Sequence, residues 1–289
     1  MKKNFHPKKF EWFFIILLLG SLVACGAGQE IPLQDNHDPV ATSSASGDGW
    51  LTPEQKHRAE QITSLFENDT IELQYAYVEN IQDGRGYTAG RAGFTTATGD
   101  ALEVVELYSE KSPNNALEKF LPRLRELANS HSDHVDGLEG FQEAWTNMAK
   151  DPIFRSSQDE IVDREYYRPA MEMGDKLGLK TALARAALYD TIIQHGGGED
   201  PDGLPAVIAN TQQFAGGSPK TGIDEAIWLK AFLKERREVL EHASDPATRE
   251  AWAESTYRVD VLSLILDSGN LDLHGPIPIK VDWFDLTIP

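Results

Sequence analysis

Two carboxylates, Glu67 and Asp83, stand sixteen residues apart in sequence settings that push their chemistry in opposite directions. Glu67 falls at the end of a helical stretch, where the negative end of the helix dipole opposes ionisation and favours a protonated, acid-donating carboxyl. Asp83 opens Asp83-Gly84-Arg85. There a neighbouring guanidinium and turn amides favour the ionised form and a role as base. Thr88, five residues on, carries a hydroxyl able to hold a water molecule. One protonated and one ionised carboxyl is what hydrolysis of a glycosidic bond requires. Taken on residue types alone, an ordinary helix end followed by an ordinary Asp-Gly turn accounts for the same pattern.

The segment Glu79 to Gly90 holds two carboxylates, an arginine and three glycines. Gly84-x-Gly86-x-x-Ala89 fits a dinucleotide fingerprint as a bare pattern. A Gly, Phe and Thr-rich stretch follows it, however, so the phosphate-binding helix N-terminus is missing. His131 and His134 have metal-like spacing with no third ligand nearby, and no metal site is expected. His195 is read as structural. Trp145, Trp228 and Trp252 sit in helical patterns and are read as core.

The elements that would position these residues are mostly helical. Thr52-Pro53-Glu54-Gln55 is a helix start, with a capping threonine, proline at the first helical position and a glutamine to close the box. Ala59, Ile62, Leu65 and Phe66 follow at helical spacing, and the helix ends at Glu67. Short β-structure is expected near residues 75–97. Asp100 with Glu103 starts a helix, and Ser112-Pro113 opens another that Pro122 disturbs. Further helices are expected over 139–150, 157–176, 178–195, 204–213, 223–243 and 247–267. The tail, 270–289, reads as extended chain on the surface.

The N-terminus places Lys2, Lys3, Lys8 and Lys9 before an apolar run that ends in Leu22-Val23-Ala24-Cys25. A basic flank, a short apolar stretch and a lipobox-like ending on the chain's one cysteine predict a lipoprotein signal over 1–24, with Cys25 as the lipidation site. A flexible tether then spans 25–48, and the folded domain spans 49–289. Lys plus Arg is 27 and Asp plus Glu is 46, a net charge of −19. Removal of the signal, with its four lysines and one glutamate, leaves −22. So acidic a chain is a poor partner for nucleic acid and a good one for a cationic molecule.

Six blocks, in order, resemble the family 46 chitosanases. They are Glu67-Asn68; Tyr75-x-Tyr77-Val78-Glu79-Asn80-Ile81-x-Asp83-Gly84-Arg85-Gly86-Tyr87-Thr88, with Gly93-Phe94 and Thr98-Gly99-Asp100; Leu188-Tyr189-Asp190-Thr191-Ile192-Ile193-x-His195-Gly196; Phe232-Leu233-x-x-Arg236; Asp245-x-x-x-Arg249; and Ser268-Gly269-Asn270-Leu271-Asp272-Leu273. The resemblance implies an α+β, mainly α-helical, lysozyme-like fold of two lobes, with a small sheet lining the cleft and carrying Asp83 and Thr88. It implies Glu67 as general acid, Asp83 as general base and Thr88 as the residue that positions the attacking water. Asp100, Glu241 and Asp245 align with substrate-binding carboxylates, and Arg85 joins the substrate-binding candidates. Glu79, Asp190, Arg236 and Arg249 align with a buried charge network behind the site. The implied activity is endo-hydrolysis of chitosan with inversion, without metal or cofactor. The N-terminal signal adds that the protein is extracytoplasmic, secreted or membrane-anchored, with any membrane contact only through a lipid on Cys25, and a monomer is expected. Two rival readings are a muramidase-like peptidoglycan hydrolase and a non-catalytic lipoprotein that binds cationic glycans or polyamines.

Overall fold

The structure, a computed structural model, describes residues 50–246 and 248–289. The expectations for the signal, the tether and Cys25 lie outside the described residues. The described chain forms two compact units, residues 60–169 and residues 50–59 with 170–289. It is mainly helical with a small sheet, as the sequence implies.

Helix α1 (Pro53–Asn68) begins in one unit and ends in the other. Its start is a reciprocal capping box. Gln55 N–H donates to Thr52 Oγ1 (3.2 Å), and Thr52 N–H donates to Gln55 Oε1 (2.9 Å). Residues 59–66 are all buried, Glu60, Gln61, Thr63 and Ser64 along with the apolar Ala59, Ile62, Leu65 and Phe66, while Glu67 is partly exposed at the last turn.

The first unit continues with strands β1 (Val78–Glu79), β2 (Thr88–Ala89) and β3 (Phe94–Thr95), an antiparallel sheet in the order β1-β2-β3. Thr88 faces Glu79 on one side and Thr95 on the other. Helices α2 (Asp100–Lys111), α3 (Leu121–Ser130), α4 (Phe141–Met148) and α5 (Pro152–Val162) complete the unit, and α5 runs directly into a π-turn, Asp163–Tyr167. The helix expected from Ser112-Pro113 starts later. A short 3₁₀ turn at Glu118–Phe120 precedes α3, and Pro122 sits in its first turn, where a missing N–H is harmless.

The core of this unit is aromatic. Trp145 stacks edge-on against Phe154 (4.9 Å) and lies 5.7 Å from Phe141, while Tyr87 stacks on Phe141 at 5.8 Å. An ion-pair cluster lies among these side chains. Arg91, 4% exposed, pairs with Glu60 (3.1 Å) and with Asp159, which also accepts from the Tyr75 hydroxyl (2.8 Å). Burial makes such a cluster costly to break, so it pins the turn between β2 and β3 to α1 and α5.

The second unit holds α6 (Arg168–Leu177), whose first two residues belong to the first unit, and α7 (Ala182–His195), α8 (Leu204–Ala215), α9 (Glu225–Glu241), α10 (Arg249–Glu254) and α11 (Tyr257–Asp267). Every residue of α7 is buried, which makes it the central rod of this unit. The segment expected as one helix over 247–267 is two, broken at Ser255-Thr256. The tail is more ordered than extended chain. Strands β4 (Ile277–Lys280) and β5 (Asp285–Ile288) form a hairpin that buries Ile277, Ile279, Phe284 and Ile288.

Candidate active site

The loop between β1 and β2 is built from two consecutive side-chain-closed turns. Gln82 N–H donates to Asn80 Oδ1 (3.0 Å), and Arg85 N–H donates to Asp83 Oδ1 (3.1 Å). Gln82 and Gly84 both take left-handed backbone, at φ 58° and 83°. The Arg85 guanidinium then closes on Asp83 Oδ2 through Nε (2.7 Å) and Nη2 (2.5 Å). Asp83 therefore lies in the turn ahead of β2 and not on the sheet, which corrects the expectation that the sheet itself carries it. The physical reason is local: Asn80 and Asp83 each bond the backbone two residues on, and this competes with ladder pairing.

Thr88 is on the sheet and fully buried. Its Oγ1 has no hydrogen-bond partner among the described residues. A buried hydroxyl left unpaired costs roughly 1–3 kcal/mol.

Asp100 is the first residue of α2. One of its oxygens, Oδ1, accepts from Thr95 N–H (2.7 Å), Thr98 Oγ1 (2.6 Å) and Ala101 N–H (3.1 Å), which ties β3 to the helix start. Burial pushes its pKa up to about 6 against these bonds, which hold it down. Tyr166, on the π-turn, joins the group. Its hydroxyl pKa is raised by burial first and then by the charges of Asp100, Glu165 and Glu67, with Arg85 opposing. Tyr77 is pushed up to about 12 by burial and by Glu79, whose carboxylate accepts its hydroxyl (3.3 Å), with Asp83 adding to the shift. Glu67, Asp83, Arg85, Thr88 and Asp100 thus share one unit, and Tyr166 senses three of them. The sequence offered no sign of Tyr166, since the Glu165-Tyr166-Tyr167 run sits inside an ordinary helical pattern.

In the second unit a buried charge network surrounds α7. Asp190 pairs with Arg236 Nη2 (2.6 Å) and with Arg258 Nη1 (3.2 Å). Arg236 Nη2 also donates to Gln194 Oε1 (2.6 Å), and Gln194 Nε2 donates to Ser255 Oγ (2.7 Å). His195 is structural, as expected. Its Nε2 lies 3.4 Å from Arg236 Nε, which can only donate, so the ring proton sits on Nδ1 and points to the Asp202 carbonyl (2.9 Å). Burial and the adjacent Arg236 hold its pKa well below the ordinary histidine value.

Two expected members are elsewhere. Glu79 is exposed on β1, where its short strand leaves the side chain to solvent. Arg249 is exposed and donates to the carbonyls of Ala243 (3.0 Å) and Ser244 (3.5 Å), because it starts α10 outside the core. The second arginine of this network is Arg258, on α11, and the sequence did not single it out, because Asp260 and Ser263 stand in the same helix. Glu241 and Asp245 are both exposed, near the end of α9 and in the loop after it, with Glu241 3.8 Å from Arg237. Trp145, Trp228 and Trp252 are buried, as expected of core.

Residues 61–277 match the family model described as glycosyl hydrolase family 46. The chain belongs to glycosyl hydrolase family 46. A chitosanase of Bacillus subtilis strain 168 is 56% identical over 230 residues, covering 80% of this chain and 83% of the relative. The native chitosanase of Bacillus subtilis MY002 superposes with a TM-score of 0.74 at 54% identity, over 83% of this chain and all of that one. A family 46 chitosanase of Gynuella sunshinyii in complex with chitotetraose gives a TM-score of 0.73 at 50% identity, over 83% and 99%. The family 46 match takes in Glu67, Asp83, Arg85, Thr88, Asp100 and the Asp190–Arg236–Arg258 network, so both clusters lie inside the shared part of the chain.

Proposed function

We propose that this family 46 enzyme is an endo-acting chitosanase, with Glu67 as general acid, Asp83 as general base and Thr88 holding the attacking water. The observation that carries the reading is the buried, unpartnered Thr88 hydroxyl in the same unit as the two carboxylates. A base that works through a water attacks from the face opposite the leaving group, so the product anomer is inverted. Arg85 holds the Asp83 carboxylate in place through Nε and Nη2, both on Oδ2. Asp100 contributes a negative charge for a substrate ammonium, with Glu241 and Asp245 as further binding carboxylates. The net charge of −19 suits a cationic polymer and disfavours acidic peptidoglycan. The relatives' names point the same way, and one of them is complexed with a glucosamine oligomer, chitotetraose.

The reading extends to the N-terminus. The lipobox-like Leu22-Val23-Ala24-Cys25 supports an extracytoplasmic protein tethered through a lipid on Cys25, and we read it as a monomer. Among the described residues no helix is long and apolar enough to cross a membrane. Cys25→Ser should release the protein from the membrane fraction, and retention there would sink the anchor. For the activity, Glu67→Gln should lower reducing-sugar release from chitosan by about 10²–10⁴ with binding kept. Proton NMR of fresh digests should show the α-anomer first. An initial β-product, or near-wild-type turnover of Glu67→Gln, would break the mechanism.

A further inference from the structure

The tip of the β4–β5 hairpin carries a residue that neither turn chemistry nor packing calls for. The hairpin closes through Val281 and Phe284, which exchange both backbone bonds (3.0 and 3.1 Å), so Asp282 and Trp283 form a two-residue loop. Neither residue takes left-handed backbone, so the turn itself makes no demand for a tryptophan. At 68% Trp283 is the most exposed large hydrophobic side chain among the described residues, touching Tyr257 at 6.4 Å between ring centres. The base beneath it is firm. Phe284 packs edge-on against the buried Tyr257 (5.5 Å), and Arg58 donates to the Pro289 and Leu273 carbonyls (2.8 and 3.2 Å).

We propose that Trp283, with Asp282 and Asp285 beside it, is an accessory platform for the cationic amino-sugar polymer, carried by the compact unit that does not hold Glu67 and Asp83. This rests on the substrate reading above. An indole face accepts the apolar face of a sugar ring and attracts an ammonium group. Asp282 and Asp285 are both exposed, and their charge is opposite to that of the substrate. Lys280 stands 3.8 Å from Asp285 with both side chains more than three-quarters exposed. An ion pair that open to water is weak and yields to a competing ammonium. The site lies beyond residues 61–277, the stretch that the family model matches. On a polymer, a second point of attachment raises the local concentration of cleavable bonds, whereas a short oligomer gains nothing from it.

The experiment compares the wild-type chain with Trp283→Ala, Trp283→Phe and Asp282→Asn/Asp285→Asn. One readout is hydrolysis of a short soluble glucosamine oligomer, and the other is retention on, and hydrolysis of, insoluble chitosan particles. Trp283→Ala should weaken particle binding by about threefold or more and leave the oligomer rate unchanged. Trp283→Phe should restore most of the binding, and the double Asn variant should bind with less sensitivity to salt. Wild-type particle binding by Trp283→Ala would overturn the proposal. So would an equal loss on oligomer and particles, which would place Trp283 in the cutting site or the fold. A wild type that self-associates through Trp283 by sedimentation would assign the ring to a second copy instead. If the wild type cuts neither substrate, the substrate reading falls and takes this proposal with it. An active wild type with an indifferent Trp283 overturns the platform alone.

Discussion

On the proposed mechanism, Thr88 serves activity at the expense of stability. Its hydroxyl is buried and unpartnered among the described residues, and a β-branched isostere would fill the same space without that cost. Thr88→Val should therefore raise the unfolding free energy by about 1 kcal/mol and slow hydrolysis by about tenfold to a hundredfold, because the water loses its hold. Denaturant melts and initial rates on chitosan check both halves, and a variant that is less stable or equally active would contradict the assignment. Asp100 carries a different signature. With its pKa raised from 3.8 to about 6, the folded chain keeps a proton that the unfolded chain has lost across that window. Stability from this group is thus present in acid and lost as pH rises through about 6. Asp100→Asn keeps an Oδ1 acceptor for its three donors and removes the titration. Its melting temperature relative to wild type should rise between about pH 4 and pH 7. Parallel melting curves would mean that Asp100 ionises freely in the fold.

At the scale of elements, the sheet that carries Thr88 is only two residues deep, so its placement depends on what clamps it. Gly90 follows β2 directly, with φ 70° and its N–H donated to the Tyr77 carbonyl (2.7 Å). A methyl group there would fall on Gln158 Oε1 and within 2.9 Å of Phe94 and Trp145. Gly84, in the Asp83 turn, has φ 83° and open space around it. Gly84→Ala should accordingly cost about 1 kcal/mol of backbone strain alone. Gly90→Ala should cost about 1–3 kcal/mol more through overpacking, and should reduce activity by shifting β2. Equal destabilisation of the two variants in urea melts would show that the aromatic core does not clamp the sheet.

At the scale of the whole molecule, the net charge of −19 acts over distances that no single contact spans. Screening shortens that reach to roughly 10 Å at 0.1 M salt, so KM for chitosan should rise with ionic strength while kcat changes little. Initial-rate series at fixed pH check this, and a KM indifferent to salt would remove long-range attraction from the account.

Local signals in the sequence determined a good deal. The Thr52–Gln55 capping box, the stripe from Ala59 to Phe66, the helix ending beside Glu67 and the Asp83-Gly84-Arg85 turn are all set by neighbours within a few residues, where propensity and hydrogen bonding act directly. The order of blocks from Glu67 to Leu273 likewise led to the family. Tertiary structure alone decided which charged residues are buried together. Arg91 with Glu60 and Asp159, and Asp190 with Arg236 and Arg258, join positions 31 to 68 residues apart. Such pairing is set by long-range packing and not by spacing along the chain, so Arg249 and Glu79 were as eligible by sequence as Arg258. The same holds for Tyr166 and for the unpaired Thr88 hydroxyl. A missing partner is a property of everything packed around a group, and no run of residues along one strand records it.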